Sequence, residues 1–143
     1  MAVENRKERR RAPARDSTAS ARLIAAMRRD RGYIYPEWEL VAREAPEFVT
    51  AYNELYRQAL ATDARLPVKY RELVALAILA FRGESAGLVN HIRRAFEHGA
   101  TRDEVLGAIE ATIIPGGALT FLNGLRALAK VDAERAVSRQ KGS

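Results

Sequence analysis

The chain holds two histidines, and one of them, His91, stands among side chains that could move a proton. It lies three residues after Leu88 and four before Ala95, at the border of the stripe Leu88, Ile92 and Phe96 that Val89 and Ala95 widen. Gly87 precedes it by four residues and Glu84 by seven, so the three line one side of a helix start. A glycine there is expected to open a gap beside the imidazole. Glu72 is the second candidate: it begins the most apolar stretch of the chain, with Leu76 and Leu79 on its face. A carboxylate so placed is expected to be partly buried, a setting in which carboxyl groups become useful for proton transfer.

The same residues admit plainer readings. Lys69, Arg71 or Arg93 could pair with Glu72. Arg93 and Arg94 read as a solvated face, with Glu97 pairing Arg93 one turn on. Glu84 at a helix start and His98 at a helix end both suit the helix dipole. A third chemistry is a two-carboxylate, one-histidine metal set from Glu72, Glu84 and His91, the type that suits Fe(II), Mn(II) or Zn(II). Trp38, Tyr33, Tyr35 and Tyr52 read as packing residues.

These side chains must be positioned by helices, because every long segment shows helical apolar spacing and none alternates with period two. A first helix, capped by Ser17 or Thr18, runs to about Asp30 on Leu23, Ile24 and Met27, and Gly32 closes it. Pro36 opens a short helix over 37–44. Pro46 opens another, with Phe48, Tyr52, Leu55 and Leu60 as apolar positions, and 61–66 is a loop. Pro67 opens a helix to Arg82 that is apolar nearly all round from Leu73, the pattern of a buried helix. Gly83 ends it. Ser85 begins the His91 helix, which reaches His98 before Gly99. Thr101 and Glu104 form a capping box for a helix to about Ile114. Pro115, Gly116 and Gly117 break it, and a last helix covers 119–137. The fold class is all-α.

Composition narrows the function. The chain has 143 residues and a formal charge of +6, and residues 1–33 carry the whole excess, with ten basic and four acidic groups. Residues 1–16 read as a disordered basic arm and 17–143 as a single helical domain. The arm reads as a solubilising tail, so no specific nucleic-acid partner is expected. Cysteine is absent, which excludes disulfides, thiolate metal sites, iron–sulfur clusters and thiol redox cycles. A cytoplasmic location is expected. No uncharged run reaches the ~20 residues that span a bilayer, Leu73 to Phe81 being nine and Ala111 to Leu125 fifteen, so no membrane partner is expected.

Leu66 to Ala77, then His91 to Val105 with its Gly-Ala-Thr turn and capping box, then a Gly-Gly turn, resemble the carboxymuconolactone decarboxylase family over about residues 48–130. The alkylhydroperoxidase-D-like peroxidases belong to the same superfamily, and their motif is Glu, eleven residues, Cys, two residues, Cys, three residues, His. Here that spacing falls on Glu72, Glu84, Gly87 and His91, so the Glu and the His keep register and both cysteines are replaced. Thiol peroxidase activity is therefore not expected. The decarboxylase branch does not use the cysteine pair and keeps a His-x-Arg segment, matched by His91-Ile92-Arg93. The resemblance implies a helical fold with a central two-helix hairpin, assembled as homotrimers or homohexamers. It implies a cofactor-independent lyase acting on a small anionic lactone or keto acid. In that reading His91, Glu72 and Glu84 are catalytic, Arg93, Arg71 and Gly87 contact substrate, and no metal is used. A non-catalytic accessory oligomer and the metal-dependent variant are the alternatives.

Overall fold

The computed structural model describes residues 17–62 and 65–141; the arm expected over 1–16 lies outside them. Among the described residues seven α-helices follow in order: α1 (Ser17–Arg31), α2 (Glu37–Glu44), α3 (Pro46–Tyr56), α4 (Val68–Arg82), α5 (Ser85–Glu97), α6 (Arg102–Ala111) and α7 (Ile113–Lys141). One π turn, Arg57–Ala61, extends α3. There is no strand among the described residues. By its internal contacts the chain divides into two compact units, one ending at Asn53 and the other beginning at Glu54.

The first unit packs α1 and α2 around Met27, Ala42 and Val49, with Leu23, Ile24 and Trp38 against them. Trp38 and Tyr52 stack at 4.5 Å, and the buried Arg31 guanidinium lies 4.8 Å from the Tyr52 ring centre. Trp38 and Tyr52 are thus packing residues. The inward face of α3 is offset by one from its most apolar positions. Val49 and Asn53 are buried, while Phe48 and Leu55 are exposed.

The second unit carries the candidate site. α4 and α5 form a hairpin joined at Gly83, whose φ of 69° is the left-handed turn a side chain disfavours. Val68, Glu72, Leu76 and Ala80, spaced by four, form the buried ridge of α4. α7 closes the core through Ala127, Leu128 and Val131 against Leu88, Ile92 and Ile109. The expectation that α4 is buried all round is corrected: Val74, Ile78 and Phe81 are exposed, because α5, α6 and α7 cover one side of it.

Around α6 the capping box forms as expected, with Glu104 N donating to Thr101 Oγ1 and Thr101 N to Glu104 Oε2. The break after it falls earlier than Pro115. α6 ends at Ala111, where Thr112 Oγ1 donates to the Ile109 carbonyl at 2.6 Å. Pro115 then sits in the first turn of α7, where its missing N–H removes no helical bond. The kink is at Gly117, with φ 77° and ψ 173°, and helix continues beyond the expected end at 137 to Lys141.

Candidate active site

The start of α5 is built by Glu84. Its carboxylate accepts from Ala86 N at 3.2 Å and Gly87 N at 2.6 Å, satisfying two N–H groups that have no partner within the helix. A Cβ on Gly87 would overlap Glu84 Oε2 and press on Leu79 Cδ1, so the glycine lets the carboxylate fold back. The gap expected beside His91 is thus filled by Glu84 and Leu79.

From this start α5 turns Gly87, Leu88, His91, Ile92, Arg94 and Ala95 inward. His91 and Arg94, three residues apart, both meet Glu72 on α4. Glu72 is fully buried. Its Oε2 lies 2.5 Å from His91 Nδ1, and its Oε1 accepts from Arg94 Nε at 2.9 Å. Arg94 Nη2 reaches 3.5 Å from His98 Nε2. Burial works against the charge on Arg94. The hydrogen bond to Glu72 and the fields of Tyr56, Glu72 and Glu97 outweigh it and hold the guanidinium above its ordinary value. The sequence expectation of a solvated Arg94 is corrected: α5 is rotated so that Arg94 enters the core, where Glu72 compensates its charge.

Glu72 therefore pairs with Arg94 and His91 rather than with Lys69, Arg71 or Arg93. Lys69 Nζ bridges to Glu104 on α6 at 2.7 Å. Arg71 binds backbone, donating from Nε to the Leu66 carbonyl and from Nη1 to those of Gln58 and Ala59. Arg93 grips Glu134 on α7 through Nε and Nη2 at 2.7–2.9 Å and donates to Asn90, not to Glu97. The structure thus brings Glu72 and His91 together, and places Glu84, Gly87, Arg71 and Arg93 in contacts of their own. Arg94 is the site residue that sequence reasoning missed. His91, Arg94 and His98 recur at spacings of three and four, a polar stripe along the apolar one that marks it.

Glu72, Glu84 and His91 do not form a metal set. The oxygens of Glu72 are turned to His91 and Arg94, those of Glu84 to backbone N–H groups. Among the described residues no group of three His, Cys, Asp or Glu side chains could hold a metal ion. An apolar cleft of about 430 Å³ opens between α4 and the α6–α7 turn, lined by Ile78, Phe81, Ala108 and Pro115, but not by Glu72 or His91. No described helix is long and apolar enough to cross a membrane.

Fold and site define a cysteine-free, all-helical protein in which a two-helix hairpin buries a glutamate against a histidine. The chain belongs to the carboxymuconolactone decarboxylase family, whose model matches residues 46–130. A protein from Burkholderia xenovorans LB400, provisionally assigned as a carboxymuconolactone decarboxylase, has a similar crystal structure. The TM-score is 0.69 at 26% identity, over 85% of this chain and 96% of that one. An uncharacterized protein of Methanocaldococcus jannaschii is 26% identical over 97 residues, covering 68% of this chain and 90% of that protein.

Proposed function

We propose that the chain is a cofactor-independent lyase of the carboxymuconolactone decarboxylase type, acting on a small anionic lactone or keto acid with His91 as its proton-transfer group. The observation that carries this reading is the 2.5 Å contact of His91 Nδ1 with the fully buried Glu72 carboxylate. Loss of carbon dioxide from a β-keto or β,γ-unsaturated acid breaks a C–C bond and leaves an electron pair that the substrate's own unsaturation spreads. That pair needs a proton. A carboxylate at Nδ1 stabilises the imidazolium and fixes the ring, so that Nε2 can deliver the proton to carbon. The same pair, accepting a proton before returning it, serves a proton shift. Glu84 contributes by fixing the start of the helix that carries His91. Family membership and the likeness to the Burkholderia protein support the decarboxylase class. The exposed Val74, Ile78 and Phe81 on α4 support assembly as a homotrimer or homohexamer, which would cover them.

Carbon dioxide release from muconolactone-type and β-keto acids, compared between wild type and His91→Ala, tests the reading. The expected loss in the variant is on the order of 10²–10⁴-fold. Undiminished turnover would remove His91 from the chemistry. Absence of turnover in wild type on all these acids would leave a non-catalytic helical oligomer, a reading that also fits a His91 side chain only 9% exposed.

A further inference from the structure

The contact between Glu72 Oε2 and His91 Nδ1 is compatible with two neutral forms of the ring, which differ by one proton on the carboxyl. With the proton on nitrogen, Glu72 is an anion, the imidazole donates through Nδ1, and Nε2 keeps its lone pair. With a further proton taken up from solvent onto the carboxyl, Glu72 is a neutral donor to Nδ1, and the ring proton sits on Nε2. The two forms present opposite chemistry at Nε2, a base in the first and a hydrogen-bond donor in the second.

We propose that Arg94 is a positioning residue that sets the tautomer of His91: by holding Glu72 as an anion it leaves the imidazole proton on Nδ1 and makes Nε2 the basic nitrogen. Glu72 has no exposed surface, so its charge must be met by its neighbours. One oxygen faces the imidazole, and the other accepts from Arg94 Nε at 2.9 Å. A guanidinium keeps its proton at any pH the fold survives, so the positive charge at Oε1 is permanent. The titratable groups acting on Arg94 are Glu72 from α4, Tyr56 from α3, Glu97 on its own helix and His98 at that helix's C-cap. Glu72 joins Arg94 to the ring of His91. The role passes through Glu72, since Arg94 is placed to govern the proton on the far side of the carboxylate.

The inference rests on the reading of Glu72 and His91 as a proton-transfer pair, but its test observes the imidazole rather than turnover. Long-range ¹H–¹⁵N spectra of the full-length ¹⁵N-labelled chain report which ring nitrogen is protonated. The chain has two histidines, so His98→Asn leaves the His91 signals alone. Spectra from mildly acid to mildly alkaline pH are compared for wild type, Arg94→Lys and Arg94→Met. In the neutral form of the ring, wild type and Arg94→Lys are expected to carry the proton on Nδ1, and Arg94→Met to carry it on Nε2 as Glu72, without its cation, takes up a proton from solvent. A role in packing alone would move no proton. A wild-type ring protonated at Nε2 overturns the proposal, even where Arg94→Met does not fold. So does a folded Arg94→Met that keeps its Nδ1 proton. A protein that shows this shift but turns over none of the acids loses the lyase reading and keeps this one.

Discussion

Arg93 and Arg94 are neighbours on α5, and each meets a glutamate, yet the two ion pairs work under different physics. Arg93 and Glu134 are 42% and 39% exposed, so water solvates both charges whether or not they touch. Arg94 and Glu72 are 7% and 0% exposed, and each has its partner in place of water. The exposed pair ties α5 to α7 and can be spared. The buried pair cannot lose one member without stranding the other, and it has His91 as a third member. Chemistry is therefore to be looked for at the residue that the helix turns inward, not at its equally charged neighbour.

The comparison breaks or holds first on stability. Glu72→Ala strands a buried guanidinium and is expected to cost about 3–5 kcal/mol. Urea unfolding would read this as a lower midpoint. A cost no larger than that of Glu134→Ala would show that water reaches the Arg94 cluster.

The pair at α6 lies between the two extremes. Glu104 both closes the capping box and meets Lys69. Thr101→Ala removes the cap and leaves that ion pair, at an expected cost of about 0.5–2 kcal/mol by the same unfolding measurement. No loss would mean that Lys69, not the cap, holds Glu104.

The same pair makes a prediction about pH. The Lys69 hydrogen bond, then the Thr101 backbone N–H, hold Glu104 below the ordinary carboxylate range, and Glu104 holds Lys69 above the ordinary lysine range. A lowered carboxyl stabilises the fold above its unfolded value, and the gain is lost as pH falls through the folded one. A raised amine stabilises below its unfolded value and loses the gain as pH rises through the folded one. Glu104→Gln is therefore expected to flatten both the acid and the alkaline limbs of a stability profile from thermal melts. An unchanged profile would place this pair with the exposed kind.

The smallest effect belongs to the exposed pair itself. Glu134→Ala is expected to cost about 0–1 kcal/mol, and less as salt is raised. A larger, salt-independent loss would show that Arg93 and Glu134 are shielded from water and would erase the distinction between neighbours.

Helix order, the turn glycines at 83 and 99, and the Thr101–Glu104 box were legible in the sequence, since each depends on residues within a turn or two of one another. So was the candidacy of Glu72 and His91, a carboxylate and an imidazole each written onto an apolar face. Less legible was the end of α6, where Thr112 satisfies a carbonyl with its side chain and releases Pro115 to start the next helix. The apolar outer face of α4 misled for another reason. Apolar composition says that a surface avoids water, but not whether the same chain covers it.

Local rules therefore determine from sequence alone that this is an all-helical chain with no thiol chemistry, and that a glutamate and a histidine are candidates for its site. Only the tertiary structure decides that Arg94 rather than Arg93 completes that site, and that Glu84 caps a helix instead of joining it. The partners of Glu72 lie 19 and 22 residues away, on a helix whose rotation about its own axis selects which side chains enter the core. That rotation is set by the packing of Leu88, Ile92 and Ala95 against Leu76, Ala80 and α7, a sum over many contacts that no local spacing encodes.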